Sequence, residues 1–114
     1  LQNAVVSVEA HVCGHQVDIV VERGRKRLFV ELKTLTIVKQ AIRQALAQLL
    51  EYCYWPPDDS RAHALLIVGA GEADDEDDQY LRLLRDRFSI PVYYLTYRDG
   101  SIPGIGSLVD DVLG

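Results

Sequence analysis

Three residues of this chain have types and spacing suited to holding a metal ion beside a reactive water: Asp18, Glu31 and Lys33. Aspartate and glutamate supply the hard oxygen ligands that Mg²⁺ or Mn²⁺ prefers. A lysine next to such an ion can position a water molecule or offset charge that develops on a phosphate. The three residues are therefore the minimum equipment for metal-dependent hydrolysis of a phosphodiester.

The position of Asp18 is the strongest part of this signal. It lies within the apolar run VDIVV, although aspartate is depleted from strands and an acid inside an apolar strand is costly unless a cation pairs with it. Strand alternation puts Glu31 and Lys33 on one face of residues 26–33. A short turn brings Asp18 toward Glu31, in a register that the sequence leaves open.

Chance is the competing explanation for the Glu31-x-Lys33 triplet. An acid-x-lysine triplet occurs roughly once in a chain of this length at average composition. A glutamate and a lysine on one strand face are also often just a solvated ion pair. The triplet gains weight from Asp18 thirteen residues before Glu31 and from the strand-turn-strand-helix frame around it.

Hydrophobic periodicity predicts the element order β-β-β-α-β-α-β. Alternating apolar residues predict strands over 4–12, 16–22 and 27–33, with turns at Cys13-Gly14 and Arg23-Gly24-Arg25. Strands linked this closely form an antiparallel meander. The fold class predicted is α/β, with the three-stranded meander extended by helix-strand-helix-strand into a mixed sheet.

The second half of the chain supplies that extension. A helix is predicted over 36–54 and ends at Trp55-Pro56-Pro57, a strand over 63–68, a helix over 74–88 and a strand over 91–97. A Gly-rich tail follows, with a candidate helical turn at its end. The first helix has an expected core face of Val38, Ala41, Ile42, Ala45, Leu46, Leu49 and Cys53, and the second of Tyr80, Leu81, Leu84 and Phe88.

Length and composition indicate one globular domain over residues 1–114, since 48% of the residues are apolar. No run of 18 apolar residues predicts a membrane span. Two cysteines are too few for a disulfide framework, which favours a reducing, cytoplasmic compartment. The chain contains no methionine and begins with Leu1, which predicts a fragment whose partners include other domains of a longer protein.

The net charge of −5 argues against a generally basic nucleic-acid binder. The charge is unevenly divided, however: residues 1–57 carry 7 Lys/Arg against 5 Asp/Glu, and residues 58–114 carry 5 against 12. A local positive field around the suspected site would attract phosphate, whereas merely solubilising cations are an equally open alternative. The residues expected to flank the site are Arg23, Arg25, Lys26, Arg27, Lys33, Lys39 and Arg43.

The run VDIVVERGRKRLFVELKT resembles the signature of the PD-(D/E)xK nuclease superfamily, whose fold is called restriction-endonuclease-like. The core of that fold is an α-β-β-β-α-β unit, and residues 4–68 match all of it except the first helix. Asp18 matches the acid of the family, and Glu31 and Lys33 match its (D/E)xK element. Val17 stands where the signature has proline.

Gln48 and Tyr52 add to the resemblance, because their Q-x-x-x-Y form is seen in RecB-like and CRISPR-associated exonucleases. In those branches the glutamine lies near the metal, whereas Gln48 as an ordinary helix former at the surface is the alternative. The resemblance implies Mg²⁺ or Mn²⁺ held by Asp18, Glu31 and the Leu32 carbonyl. Lys33 would orient the attacking water or stabilise charge in the transition state.

The activity implied is hydrolysis of nucleic acid, with DNA as the expected substrate, in a bacterial defence, restriction or repair protein. A noncatalytic domain of the same fold, serving binding or dimerisation, is the alternative. A nuclease that cuts both strands is often a homodimer, but no interface can be read from the sequence. In many members a first helix adds an acidic ligand, and no such helix precedes the first predicted strand here.

A zinc site is a weaker alternative. His11, Cys13 and His15 are all zinc-ligand types at alternate positions. Gly14 indicates a turn between them, and a fourth ligand is not evident. An ordinary strand-turn-strand is therefore the favoured interpretation of this segment.

Overall fold

The structure, a computed structural model, describes residues 3–12, 15–54 and 62–114, without the side chains of residues 10–12 and 15. Within these ranges the order of elements is the predicted one with a helix added at the end. The elements are β1 (Val5–Val12), β2 (His15–Arg23), β3 (Lys26–Leu32), α1 (Val38–Tyr54), β4 (Ala64–Gly69), α2 (Asp75–Phe88), β5 (Val92–Thr96) and α3 (Ile105–Leu113).

The strands form one mixed sheet in the order β1-β2-β3-β4-β5. β1, β2 and β3 pair antiparallel, as their short links require, whereas β4 and β5 continue the sheet in parallel. Parallel neighbours need a crossover connection, and α1 and α2 supply the two crossovers. The prediction of an α/β domain in which a meander is extended into a mixed sheet is confirmed.

Two apolar layers cover the two faces of the sheet. Val20 and Phe29 belong to the layer beneath α1 and α2, whereas Leu28 and Val30 belong to the layer beneath α3. The central strand β4 is buried at each of its positions, as expected for a strand covered on both faces. The face beneath α1 is the one that carries the candidate site.

The hairpin between β2 and β3 determines how these two strands face each other. Gly24 has φ +63°, a left-handed conformation that glycine adopts without strain. Arg23 pairs with Lys26 across this turn, and the pairing runs on to Ile19 opposite Val30. The predicted turn at Arg23–Arg25 is confirmed. The turn predicted at Cys13-Gly14 and the helix stop predicted at Trp55-Pro56-Pro57 lie outside the described residues.

The core face of α1 is confirmed with one reservation, since Leu46 is only half-buried. The helix begins at Val38, two residues later than predicted. The core face predicted for α2 is wrong at two positions: Tyr80 is 47% exposed and Phe88 58% exposed, while Leu81 and Leu84 are buried. The helix lies over the edge strand β5, so only a narrow stripe of its surface meets the sheet.

The tail differs from its prediction in a further way. It forms a nine-residue helix, α3, in which Val109 and Leu113 are buried against the second apolar layer. Its glycines lie at or near the ends of the helix, with Gly104 at the N-cap and Gly114 at the C-cap. In the part of the chain that the structure describes, no helix combines the length and hydrophobicity needed to cross a membrane.

Candidate active site

Asp18 and Glu31 lie on neighbouring strands, on the face covered by α1. Their position follows from the register, because Ile19 pairs with Val30 and the next step places Asp18 opposite Glu31. Residues directly opposite on an antiparallel pair share one face. The next pair on that face, Val20 and Phe29, is fully apolar and buried, so the two acids extend an apolar row.

Asp18 is held by the main chain of the neighbouring strand. The Leu32 N–H donates to Asp18 Oδ2 at 2.9 Å, just beyond the last pair, Ile19 and Val30, at which β2 and β3 are in register. The Asp18 carboxylate thus accepts the hydrogen bond that the Leu32 N–H would otherwise donate to the backbone of the partner strand. The backbone of Leu32, a predicted contributor to the metal site, lies directly against Asp18.

Glu31 is the one buried charged side chain among the described residues, with 5% of its surface exposed. Its Oε2 lies 3.6 Å from Lys33 Nζ, while its Oε1 is buried without a hydrogen-bond partner. Burial, and next the Asp18 carboxylate, raise the pKa of Glu31 to about 7, against the opposing effect of the Lys33 ammonium. The Lys33 ammonium therefore offsets only part of the cost of keeping this buried carboxylate charged.

Lys33 is tied to both the sheet and the helix. Its main-chain N–H donates to the Val68 carbonyl at 2.8 Å, which extends the pairing of β3 with β4 by one residue. Its Nζ donates to Gln48 Oε1 at 2.7 Å, in addition to the ion pair with Glu31. Gln48 is half-buried on α1 and reaches the sheet, so the structure brings all four predicted side chains together.

Tyr52 belongs to the same cluster, although the sequence suggested no role for it beyond the Q-x-x-x-Y form. Burial raises the pKa of the Tyr52 hydroxyl, and the negative charges of Glu31, Asp18 and Glu51 raise it further, while a hydrogen bond with Gln48 opposes the shift. Gln48 therefore accepts from Lys33 and is also hydrogen-bonded to Tyr52. The two bonds hold the Gln48 amide in one orientation. Tyr52 lies four residues after Gln48, which is about one helical turn. This spacing is the signal in the sequence that identifies Tyr52.

The donor set fits a hard divalent cation. Glu31 Oε1 is buried without a hydrogen-bond partner, and the Asp18 carboxylate lies close enough to raise the pKa of Glu31. Among residues 3–12, 15–54 and 62–114, no three His, Cys, Asp or Glu side chains gather as a metal-binding group. Any ion here would be held by two carboxylates and the Leu32 carbonyl, with water completing the shell, an arrangement that suits Mg²⁺ better than a metal needing a full protein cage.

The expectation that cations of the β2–β3 turn flank this site is wrong. Arg23 is five residues along β2 from Asp18, which is about 17 Å at the rise of a strand, and Arg25 and Lys26 lie at the same distant turn. Arg23 pairs instead with Asp110 on α3 at 2.8 Å. Arg27 lies 3.7 Å from Glu22 and over the Phe29 ring.

Lys39 and Arg43 are also away from the carboxylates, since both line a groove between α1 and α2. Of the seven cations predicted to flank the site, Lys33 is the one that the described residues show in an ion pair with a carboxylate of the site, that of Glu31. The side chains of the candidate zinc ligands His11, Cys13 and His15 are outside the described part of the chain.

Comparison of the chain with protein-family models, with curated proteins and with solved structures found no match. The function is therefore inferred from the geometry of the site itself.

Proposed function

We propose that this chain is a Mg²⁺-dependent nuclease domain with a restriction-endonuclease-like fold, hydrolysing phosphodiester bonds in nucleic acid, with DNA as the substrate. Mn²⁺ would serve in place of Mg²⁺. The observation that carries the proposal is Glu31, a buried carboxylate with an unpartnered oxygen, beside Asp18 and Lys33. A role in a cytoplasmic defence or repair protein belongs to the same proposal.

The energetics of the acidic pair support a functional explanation. Two carboxylates share one nearby ammonium, so above about pH 7, where Glu31 ionises, the cluster carries an excess negative charge that includes a buried carboxylate. The neighbouring pair Val20 and Phe29 shows that apolar side chains fill this face of the hairpin. A cluster this costly to bury is typical of a functional site rather than of a structural ion pair.

Each residue of the site has a distinct task in this proposal. Asp18, Glu31 and the Leu32 carbonyl would hold the ion, and the ion when bound would polarise the phosphate and favour ionisation of water. Lys33 has three N–H groups, of which one is donated to Gln48 and one faces Glu31. The third is available to an attacking water or to a phosphate oxygen.

The first test is cleavage of plasmid, single-stranded DNA and RNA by the purified chain with Mg²⁺ or Mn²⁺, in the presence and absence of EDTA. We expect cleavage that EDTA abolishes and that Asp18→Asn lowers at least about 100-fold, since Asn keeps the shape but removes the charge that holds the ion. Asp86→Asn, an exposed acid on α2, is the matched control and should cleave at the wild-type rate. Absence of cleavage on all three substrates would count against the proposal.

A second test concerns Tyr52. Tyr52→Phe keeps the ring but removes the hydrogen bond between Tyr52 and Gln48, at a cost of about 1 kcal/mol. Looser placement of Lys33 is expected to lower the cleavage rate about 3–10-fold at unchanged metal affinity. Tyr94→Phe is the control. This variant also loses a part-buried hydroxyl hydrogen bond, which Tyr94 donates to the Gly71 carbonyl at 2.6 Å, but the bond is not part of the site. Equal rates for the two variants would remove Tyr52 from the mechanism.

The noncatalytic alternative has one observation on its side, namely that the described residues contribute only two carboxylates to the site. A binding domain would retain nucleic-acid affinity in EDTA and show no turnover. Gel-shift and cleavage measurements on the same preparation distinguish the two functions.

A further inference from the structure

A groove of about 600 Å³ runs between α1 and α2, on the outer side of the helical layer. Its apolar lining includes Leu46 and Leu50 of α1, both half-buried, and Tyr80 of α2. Tyr80 is 47% exposed, and Leu83, one turn further along α2, is 42% exposed. Apolar surface of this kind, gathered in a concave strip, is a feature of interaction sites.

The rims of the groove carry opposite charges. Lys39 and Arg43 lie along the α1 rim, and Glu76 and Asp77 lie along the α2 rim. Among the described residues no ion pair spans the groove between these rims. Both rims are therefore able to pair with charges on a molecule that enters the groove.

The charge pattern selects among possible occupants. A nucleic-acid backbone would meet Glu76 and Asp77 and be repelled along one entire rim. A second copy of the chain, by contrast, carries the matching pattern automatically. When two such faces meet around a two-fold axis parallel to the groove, the basic α1 rim of each copy lies over the acidic α2 rim of the other.

We propose that this groove is the interface of a homodimer, in which the helical layers of two copies pack face to face around a two-fold axis along the groove. Such an interface is isologous, so each contact occurs twice. Tyr80 of each copy packs into the apolar lining of the other, in the central position where aromatic residues contribute most to binding. Arg43 of each copy faces Glu76 of its partner.

The proposed interface leaves the candidate active site open. Gln48 and Leu50 lie about 160° apart around α1, so the site and the groove occupy opposite flanks of one helix. The dimer therefore holds or fails independently of the proposed nuclease activity.

Sedimentation velocity at low and high salt tests the dimer, using the 114-residue chain over a range of concentrations. We expect a mass of about twice 12.8 kDa, with a dissociation constant that rises with salt. Arg43→Glu and Glu76→Arg should each weaken dimerisation at least 10-fold, because each places like charges opposite each other twice. Arg25→Glu, an exposed cation of the β2–β3 turn, is the matched control and should dimerise as the wild type does.

A mixture gives the sharpest result. Arg43→Glu chains mixed with Glu76→Arg chains should form a heterodimer with near wild-type affinity, because one of its two charge pairs is then the native one and the other is restored in swapped order. Tyr80→Arg should be monomeric while its circular dichroism stays that of a folded domain. A monomeric wild type at all concentrations, or failure of the mixture to dimerise, would overturn the proposal and leave the groove to a helix of another protein.

Discussion

Replacement of Lys33 by Met is expected to lower metal-dependent DNA cleavage at least about 100-fold. Methionine keeps the length and packing of the side chain but removes the ammonium that lies 2.7 Å from Gln48 Oε1 and 3.6 Å from Glu31 Oε2. Loss of one preorganised donor to charge that develops in a transition state costs roughly 10²–10³ in rate. The measurement is the single-turnover cleavage rate at saturating metal, which separates the chemical step from binding.

Lys26→Met is the matched control for this prediction. Lys26 is an exposed lysine at the start of the same strand, at the turn that lies away from the carboxylates. It should cleave at the wild-type rate if the effect belongs to the site rather than to the overall charge. A cleavage rate for Lys33→Met within about threefold of the wild-type rate would exclude Lys33 from the proposed chemistry.

The second large effect concerns stability rather than rate. Glu31→Gln is expected to raise the free energy of unfolding by about 2–3 kcal/mol at pH 8 in EDTA. The reason is that burial and the Asp18 carboxylate raise the pKa of Glu31 in the folded protein to about 7, from its ordinary 4.5. Above pH 7 the wild type must keep a disfavoured charge, whereas glutamine stays neutral.

The sign of the pH dependence follows from the same shift. A carboxyl group with a raised folded-state pKa binds its proton more tightly when folded, so the wild type loses stability as the pH rises from about 4.5 to about 7. The advantage of Glu31→Gln should therefore shrink to less than about 1 kcal/mol at pH 5. Urea denaturation at pH 5 and pH 8 measures both values, and Asp111→Asn, an exposed acid of α3, should shift neither.

Metal provides the complementary measurement. A cation that binds the folded site stabilises it by mass action, so Mg²⁺ at pH 8 should raise the midpoint of wild-type unfolding and leave that of Glu31→Gln almost unchanged. A variant that is less stable than the wild type at pH 8 in EDTA would show that Glu31 is a structural ion-pair partner. Such a result would also remove the main support for the metal site.

The candidate site was largely predictable because its signals are local. An acid inside the apolar strand VDIVV, a glycine turn and a Glu-x-Lys strand end all lie within residues 17–33. Only the register was open, and the hairpin around Gly24 settles it by pairing Arg23 with Lys26, which carries Asp18 to a position opposite Glu31. Gln48 was also within reach of sequence reasoning, as it lies at the border of an amphipathic helical face.

The features that the sequence left undecided depend on contacts between distant segments. Periodicity placed Tyr80 and Phe88 on a buried face, but whether a helical face is covered depends on the neighbouring elements, and α2 lies at the edge of the sheet. Charge counting likewise predicts seven cations around the site. In the structure the cations of the β2–β3 turn lie at the far end of the hairpin, because the strands run away from the carboxylates toward that turn. Lys39 and Arg43 lie on the side of α1 that lines the groove.

Residue types and local spacing thus determined the meander, the acidic pair and the lysine beside it, because strand alternation and a tight turn act over a few residues. Tertiary structure alone decided the burial of Glu31, the bonds of Gln48 to Lys33 and Tyr52, and the charged groove on the other flank of α1. Burial and electrostatic coupling depend on which segments pack against a residue. Those segments are distant in the sequence, and hydrophobic periodicity describes only neighbouring residues.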